Sequence, residues 1–182
     1  MRLTTPRIPP LEEHQWTEEQ KEVMKNQRMR GQVQNIFKTL ANHHKLAKRW
    51  LVFGNHVLAK STLPPREREI AILRMGWRCQ SAYEWGQHVI IGKHAGLTDE
   101  EIENIKEGRN APGWSEHDRL LIIATDELKD DAFITDETWA GLKKTYSDEQ
   151  MMDLVFTCGQ YNMVSMALNS FGVQLDPDIS GF

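Results

Sequence analysis

The residues best placed to do chemistry are Glu84 and His88, in the run Ser81-Ala82-Tyr83-Glu84-Trp85-Gly86-Gln87-His88. On a helix the two stand one turn apart and can touch. A carboxylate beside an imidazole orients the ring, fixes its tautomer and raises its pKa, so the pair is a candidate general acid/base unit. The same spacing also suits an ordinary surface ion pair. Upstream, Glu69 shares a helix face with Ile72, Leu73 and Gly76 and therefore leans inward. If residues 65–78 and 80–95 form an antiparallel helical hairpin about Cys79-Gln80, Glu69 and His88 lie at similar heights. Two carboxylates beside one imidazole should then raise its pKa against the opposing effect of burial. Arg68, Arg74 and Tyr83 are candidates to bind a substrate carboxylate. Tyr83 and Trp85 flank the pair and could wall a pocket, although core packing also suits Trp85.

The elements that must position these residues read as helices. Prolines sit at 6, 9, 10, 64, 65, 112 and 177, leaving 11–63 and 113–176 free of them. Thr17-Glu18-Glu19-Gln20, Thr98-Asp99-Glu100-Glu101 and Ser147-Asp148-Glu149-Gln150 read as capping boxes. The pattern predicts helices near 17–29, 33–41, 44–60, 65–78, 80–95, 99–107, 115–129, 136–145 and 148–170, with no strands. Gly96 and Gly108 fall where helices should stop. The expected organisation is an extended arm over 1–14, packed on a neighbour or disordered, and one all-α domain over 15–182. The last helix is apolar on several faces, which points to burial in the core or between subunits.

Composition narrows the function. In 182 residues, 22 Lys and Arg stand against 26 Asp and Glu, for a net charge of −4. That offers no basic excess for nucleic acid. A mean hydropathy of −0.56 and the lack of a run of about 18 apolar residues argue against a membrane span. The first ten residues hold no apolar core of a secretory signal. Cys79 and Cys158 are too far apart for a Cys-x-x-Cys pair, so a reducing cytoplasm is expected. Glu84 and His88 could offer two metal ligands, with His43, His44 or His56 adding more. No second His-rich spacing completes a site, and no metal is expected.

The stretch 64–102 resembles the carboxymuconolactone decarboxylase family, which includes the alkyl hydroperoxidase D-like proteins. The peroxidase branch of that family carries Glu-x11-Cys-x2-Cys-x3-His, then a helix end like Ala-Gly-Leu-Ser/Thr. Here His88 is followed by His94-Ala95-Gly96-Leu97-Thr98. Counting back, the family His falls on His88, its second Cys on Glu84, its first on Ser81 and its Glu on Glu69. The resemblance implies a compact multi-helix bundle, homo-oligomeric as a trimer or hexamer. With both cysteine positions replaced, dithiol peroxide chemistry is not implied. The Tyr-Glu-Trp-x-x-His form is similar instead to the decarboxylase-type branch.

The resulting expectation is a cofactor-free decarboxylase, or a related lyase or isomerase, acting on a small organic acid or lactone. His88, Glu84 and Glu69 would transfer protons, and Tyr83, Arg68, Arg74 and Trp85 would bind substrate. Two other readings stay open at this point: a peroxide-related thiol protein using Cys79, and a non-catalytic helical oligomer.

Overall fold

The computed structural model describes residues 2–29 and 31–182, and among these it shows nine α-helices. They are α1 (Glu18–Met24), α2 (Asn35–Leu40), α3 (His44–Ala59), α4 (Pro65–Arg78), α5 (Ala82–His94), α6 (Asp99–Glu107), α7 (Glu116–Asp131), α8 (Asp136–Leu142) and α9 (Asp148–Phe171). Two-residue strands β1 (Arg28–Met29) and β2 (Gln32–Val33) pair antiparallel between α1 and α2. The sequence reading had a helix running to residue 29. Instead α1 ends at Met24, and Gly31, at a φ of 78°, turns the chain into the hairpin. The eighth helix also ends early, at Leu142 rather than 145.

Local signals set most helix starts. Thr17, Thr98 and Ser147 each close a capping box with Gln20, Glu101 and Gln150. Ser115 caps α7 by accepting from the Asp118 N–H. Segment 2–12 runs extended along its own chain. The Arg7 N–H donates to the Phe171 carbonyl at 2.8 Å, and the Leu11 N–H to the Lys38 carbonyl at 3.1 Å.

The architecture is organised around α4, which packs against α5, α6, α7 and α9. Eight consecutive residues of α4, Glu69 to Gly76, are buried. A helix enclosed on every side cannot keep a polar face in water, so its charged residues need partners inside. Arg74 finds them. Its Nε and Nη2 donate to both Asp126 oxygens at 2.8 Å, and its Nη1 donates to the Ile105 and Lys106 carbonyls at the end of α6. Gly108 makes room, since a Cβ there would lie 2.6 Å from the Arg74 guanidinium.

The link from α4 to α5 is a Schellman turn. Ser81 N–H donates to the Gly76 carbonyl and Gln80 N–H to the Trp77 carbonyl, both at 2.9 Å, with Gln80 at a φ of 50°. The C-terminal segment then lies across α5 at Gly86, where a Cβ would meet Ile179 and the Ser180 carbonyl at 2.4 Å. Among the described residues, no helix is long and apolar enough to cross a membrane.

Replacing Arg74 with Ala leaves the Asp126 carboxylate and two helix-end carbonyls without this donor. The expected loss of unfolding free energy is about 3 kcal/mol, the scale for breaking a buried pair. Urea unfolding of the variant against the parent measures it.

Candidate active site

Glu69, Glu84 and His88 meet in the interior between α4 and α5. The His88 Nδ1 lies 2.6 Å from Glu69 Oε2, and its Nε2 lies 3.0 Å from Glu84 Oε1. All three are buried, Glu69 completely. Arg68 lies behind the cluster, with its Nε 3.3 Å from Glu69 Oε1. Two carboxylates, one imidazole and one guanidinium thus sit together, and in their charged forms the charges cancel. The Tyr161 ring from α9 stands edge-on to the imidazole, with centroids 4.8 Å apart.

Burial opposes charge on the His88 ring, but Glu69 and then Glu84 outweigh it and raise its pKa to about 10. At neutral pH the ring is therefore an imidazolium with one N–H directed at each carboxylate. Burial, with the Glu84 and Glu69 charges, pushes the Tyr161 phenol well above its ordinary value, so it stays protonated.

A cleft of about 100 Å³ opens against this cluster. Glu84, His88, Tyr83, Gln87 and Tyr161 line it on one side, with Gln34, Ile36, Trp50 and Gln160 among its other walls. Glu69 does not line it. Glu84 is therefore the carboxylate that borders the cleft, beside His88, with Glu69 on the far side of the ring. The arrangement can take a proton from a substrate at Glu84 and return it elsewhere, while the imidazolium balances charge.

The residues expected to bind substrate divide. Tyr83 lines the cleft, but its hydroxyl is engaged. It donates to Asp176 Oδ2 at 2.6 Å and accepts from the Ile36 N–H at 3.2 Å. Arg68 pairs with Glu69 and is not among the cleft's lining residues. Arg74 is spent on Asp126 and the end of α6, away from the cleft. Trp85 packs with Trp77 and Phe182 under the Lys106 ammonium, and it is a core residue. Neither arginine lines the cleft, and each is paired with a carboxylate outside it, Glu69 for Arg68 and Asp126 for Arg74.

Cys79 is buried at the end of α4, its thiol 3.2 Å from Asn162 Oδ1, and does not line the cleft. Burial pushes the Cys158 thiol up to about 12. Among the described residues, no three His, Cys, Asp or Glu side chains are grouped to hold a metal ion. His43 accepts the Leu46 N–H at the start of α3, while His44 and His56 face Glu19 and Asp153.

The sequence reading missed Gln34, Gln87 and Gln160. Gln87 stands one residue before His88 and three after Glu84, and that position on the helix was its only available signal. Nothing local marked Gln34 or Gln160.

The model of the carboxymuconolactone decarboxylase family matches residues 44–126, so the resemblance seen in the sequence holds over that span. No curated protein matches the chain. Among solved structures, the chain is similar to an alkylhydroperoxidase AhpD core, an uncharacterized peroxidase-related protein from Ralstonia eutropha JMP134. The TM-score is 0.82 at 16% identity, covering 95% of this chain and 93% of that one. It is also similar to an uncharacterized peroxidase-related protein from Silicibacter sp. TM1040, with TM-score 0.78, 17% identity, and 97% and 92% covered. The debrominase Bmp8, solved in complex with 2,3,4-tribromopyrrole, gives TM-score 0.75 at 13% identity, with 96% and 94% covered. These likenesses establish the all-α AhpD-like fold.

The His88 pKa generates a pH prediction. A free imidazole titrates near 6.5, below the folded value of about 10. The stabilisation from its charged form is therefore fully present below about pH 6.5 and is lost as the pH rises through about 10. NMR should show His88 still an imidazolium at pH 8. Glu69→Gln should lower its midpoint by at least about one pH unit. His88→Gln should flatten the fall in urea stability between pH 7 and 10.

Proposed function

We propose that this chain, whose residues 44–126 carry the carboxymuconolactone decarboxylase family core, is a proton-transfer enzyme of the lyase or isomerase type. It acts on a small lactone or a related molecule with an acidic proton, and side chains do the acid/base work. The observation that supports this is the line Glu84–His88–Glu69, with Glu84 facing the cleft. Glu84 takes the proton from the substrate and the bonding electrons stay behind as an enolate. The same proton returns from Glu84 to a second substrate atom. His88 donates N–H to Glu84 throughout, and Glu69 holds the ring in place. Decarboxylation would add a substrate carboxylate, for which Arg68 and Arg74 do not supply the expected anchor. Thiol chemistry at Cys79 would need that sulfur to reach the cleft.

The test is deuterium incorporation from D2O into a panel of enolisable lactones and phenols, followed by NMR. The parent should exchange a member of the panel. Glu84→Gln should lower that rate by at least about 100-fold, and Cys79→Ser should leave it within twofold. If Cys79→Ser abolishes the activity of a folded protein, a one-cysteine mechanism replaces this one.

We also propose that the chain self-associates as a trimer or hexamer through the outer face of α9. Met152, Phe156, Met163 and Met166 are exposed there. With Gly159 they fall at the spacing of a helix-packing seam. A Cβ at Gly159 would touch nothing in this chain, so another helix can approach closely. Light scattering should give a mass several times 21.1 kDa, and Met163→Glu with Met166→Glu should reduce it to that of one chain.

A further inference from the structure

The polar lining of the cleft is uneven in a way that proton transfer alone does not require. Gln34, Gln87 and Gln160 all line it, and each has a buried carboxamide oxygen with no protein partner. For two of them the orientation is fixed by chemistry. The Gln87 amide nitrogen donates to Asp176 Oδ2 at 2.6 Å, a carboxylate that can only accept. The Gln34 nitrogen donates to the Met29 and Gln32 carbonyls at 3.0 and 2.9 Å. Turning either amide over would set oxygen against oxygen, so both leave a buried oxygen as an unmet acceptor beside the cleft. The carboxylate of Glu84 adds a fourth accepting group on the same side as Gln87.

A buried acceptor left unmet is costly, and the fixed Gln34 and Gln87 oxygens, with the unpartnered Gln160 oxygen and the Glu84 carboxylate beside them, favour donors. The remaining walls are apolar: Ile36, Phe37, Trp50, Leu51, Ile91 and Val164. Among the described residues, neither Lys nor Arg lines the cleft, and the His88 charge is already directed at two carboxylates. The room available, about 100 Å³, is on the scale of a single ring.

We propose that this cleft recognises an uncharged single-ring molecule carrying at least two O–H or N–H donors, such as a phenol, an enol or a ring amide. Gln87 and Gln160 accept from the donor remote from the chemistry. Glu84 accepts the proton that is transferred. The assignment rests on the proton-transfer reading for the role of Glu84, whereas the donor preference rests on the glutamine oxygens.

The experiment is calorimetric titration of the full chain with three ring probes of similar size: resorcinol, 1,3-dimethoxybenzene and benzoate. Resorcinol keeps two donors, the dimethyl ether removes both, and benzoate brings an anion. Resorcinol should bind at least about tenfold tighter than either of the others. Gln160→Leu, whose amide oxygen holds nothing in this chain, should remove most of that preference while binding of the ether stays unchanged. Gln87→Leu should act in the same direction, with circular dichroism reporting on its fold. Repeating the titration with His88→Gln separates the two ideas. A retained preference in a variant without exchange activity keeps the donor assignment and leaves the proton-transfer reading to its own test. Equal binding of resorcinol and its ether, tighter binding of benzoate, or no binding of any probe at millimolar concentration overturns the proposal.

Discussion

The structure turns on a carboxylate that water cannot reach. Glu69 sits at zero exposure on a helix enclosed by four others. A charged group taken out of water costs several kcal/mol unless a partner in good geometry offsets it. His88 and Arg68 are those partners. Their demands reach well beyond the site. The imidazole has to come from α5 at the height of Glu69, which fixes how the two helices lie along each other. The strained Gln80 turn, with its two backbone hydrogen bonds, holds that register. Glu84 then completes the balance around the ring and carries the cluster's influence out to the cleft.

Arg74 shows the same constraint resolved differently. It is buried about one and a half turns further along the same helix and makes four hydrogen bonds, yet it does not line the cleft. Its donors go to two helix-end carbonyls and to Asp126, a carboxylate it shares with Arg78. Burial of a charge therefore did not distinguish the chemical cluster from the structural one. What distinguishes them is that Glu84 and His88 line the cleft beneath apolar walls, whereas the Arg74 cluster borders a groove lined by further charged side chains.

This difference also explains what could be read in the sequence. Caps, helix stops and the inward lean of Glu69 are local, as is the spacing that places Glu69 and His88 on facing helices. Each cap and stop was legible within a few neighbouring residues, and the site pattern lies within residues 64–102. The fates of Arg74 and Trp85 were decided by Asp126, Ile105 and Phe182, which no local pattern connects to them. The β1–β2 hairpin was hidden because a helix-favouring composition ran past Met24 until Gly31 reversed the chain. The three glutamines were invisible for another reason. A glutamine on a helix is usually solvated, and only the assembled cleft reveals that these oxygens are not.

Asp176 has a consequence for how the site comes into being. It accepts from the Asn35 N–H, the Tyr83 hydroxyl and the Gln87 amide, so it sets the direction in which Gln87 points. The Gln87–Asp176 contact spans 89 residues of chain, whereas His88–Glu69 spans 19. For a flexible chain, closing the longer loop costs about 1.4 kcal/mol more. The Glu69–His88–Glu84 cluster is thus a product of local folding, formed by a single helical hairpin. The Gln87–Asp176 contact is the more expensive one, and it forms only when distant parts of the polypeptide have met. A partly folded chain could therefore hold the buried ion cluster before it holds the glutamine that the C-terminal segment orients.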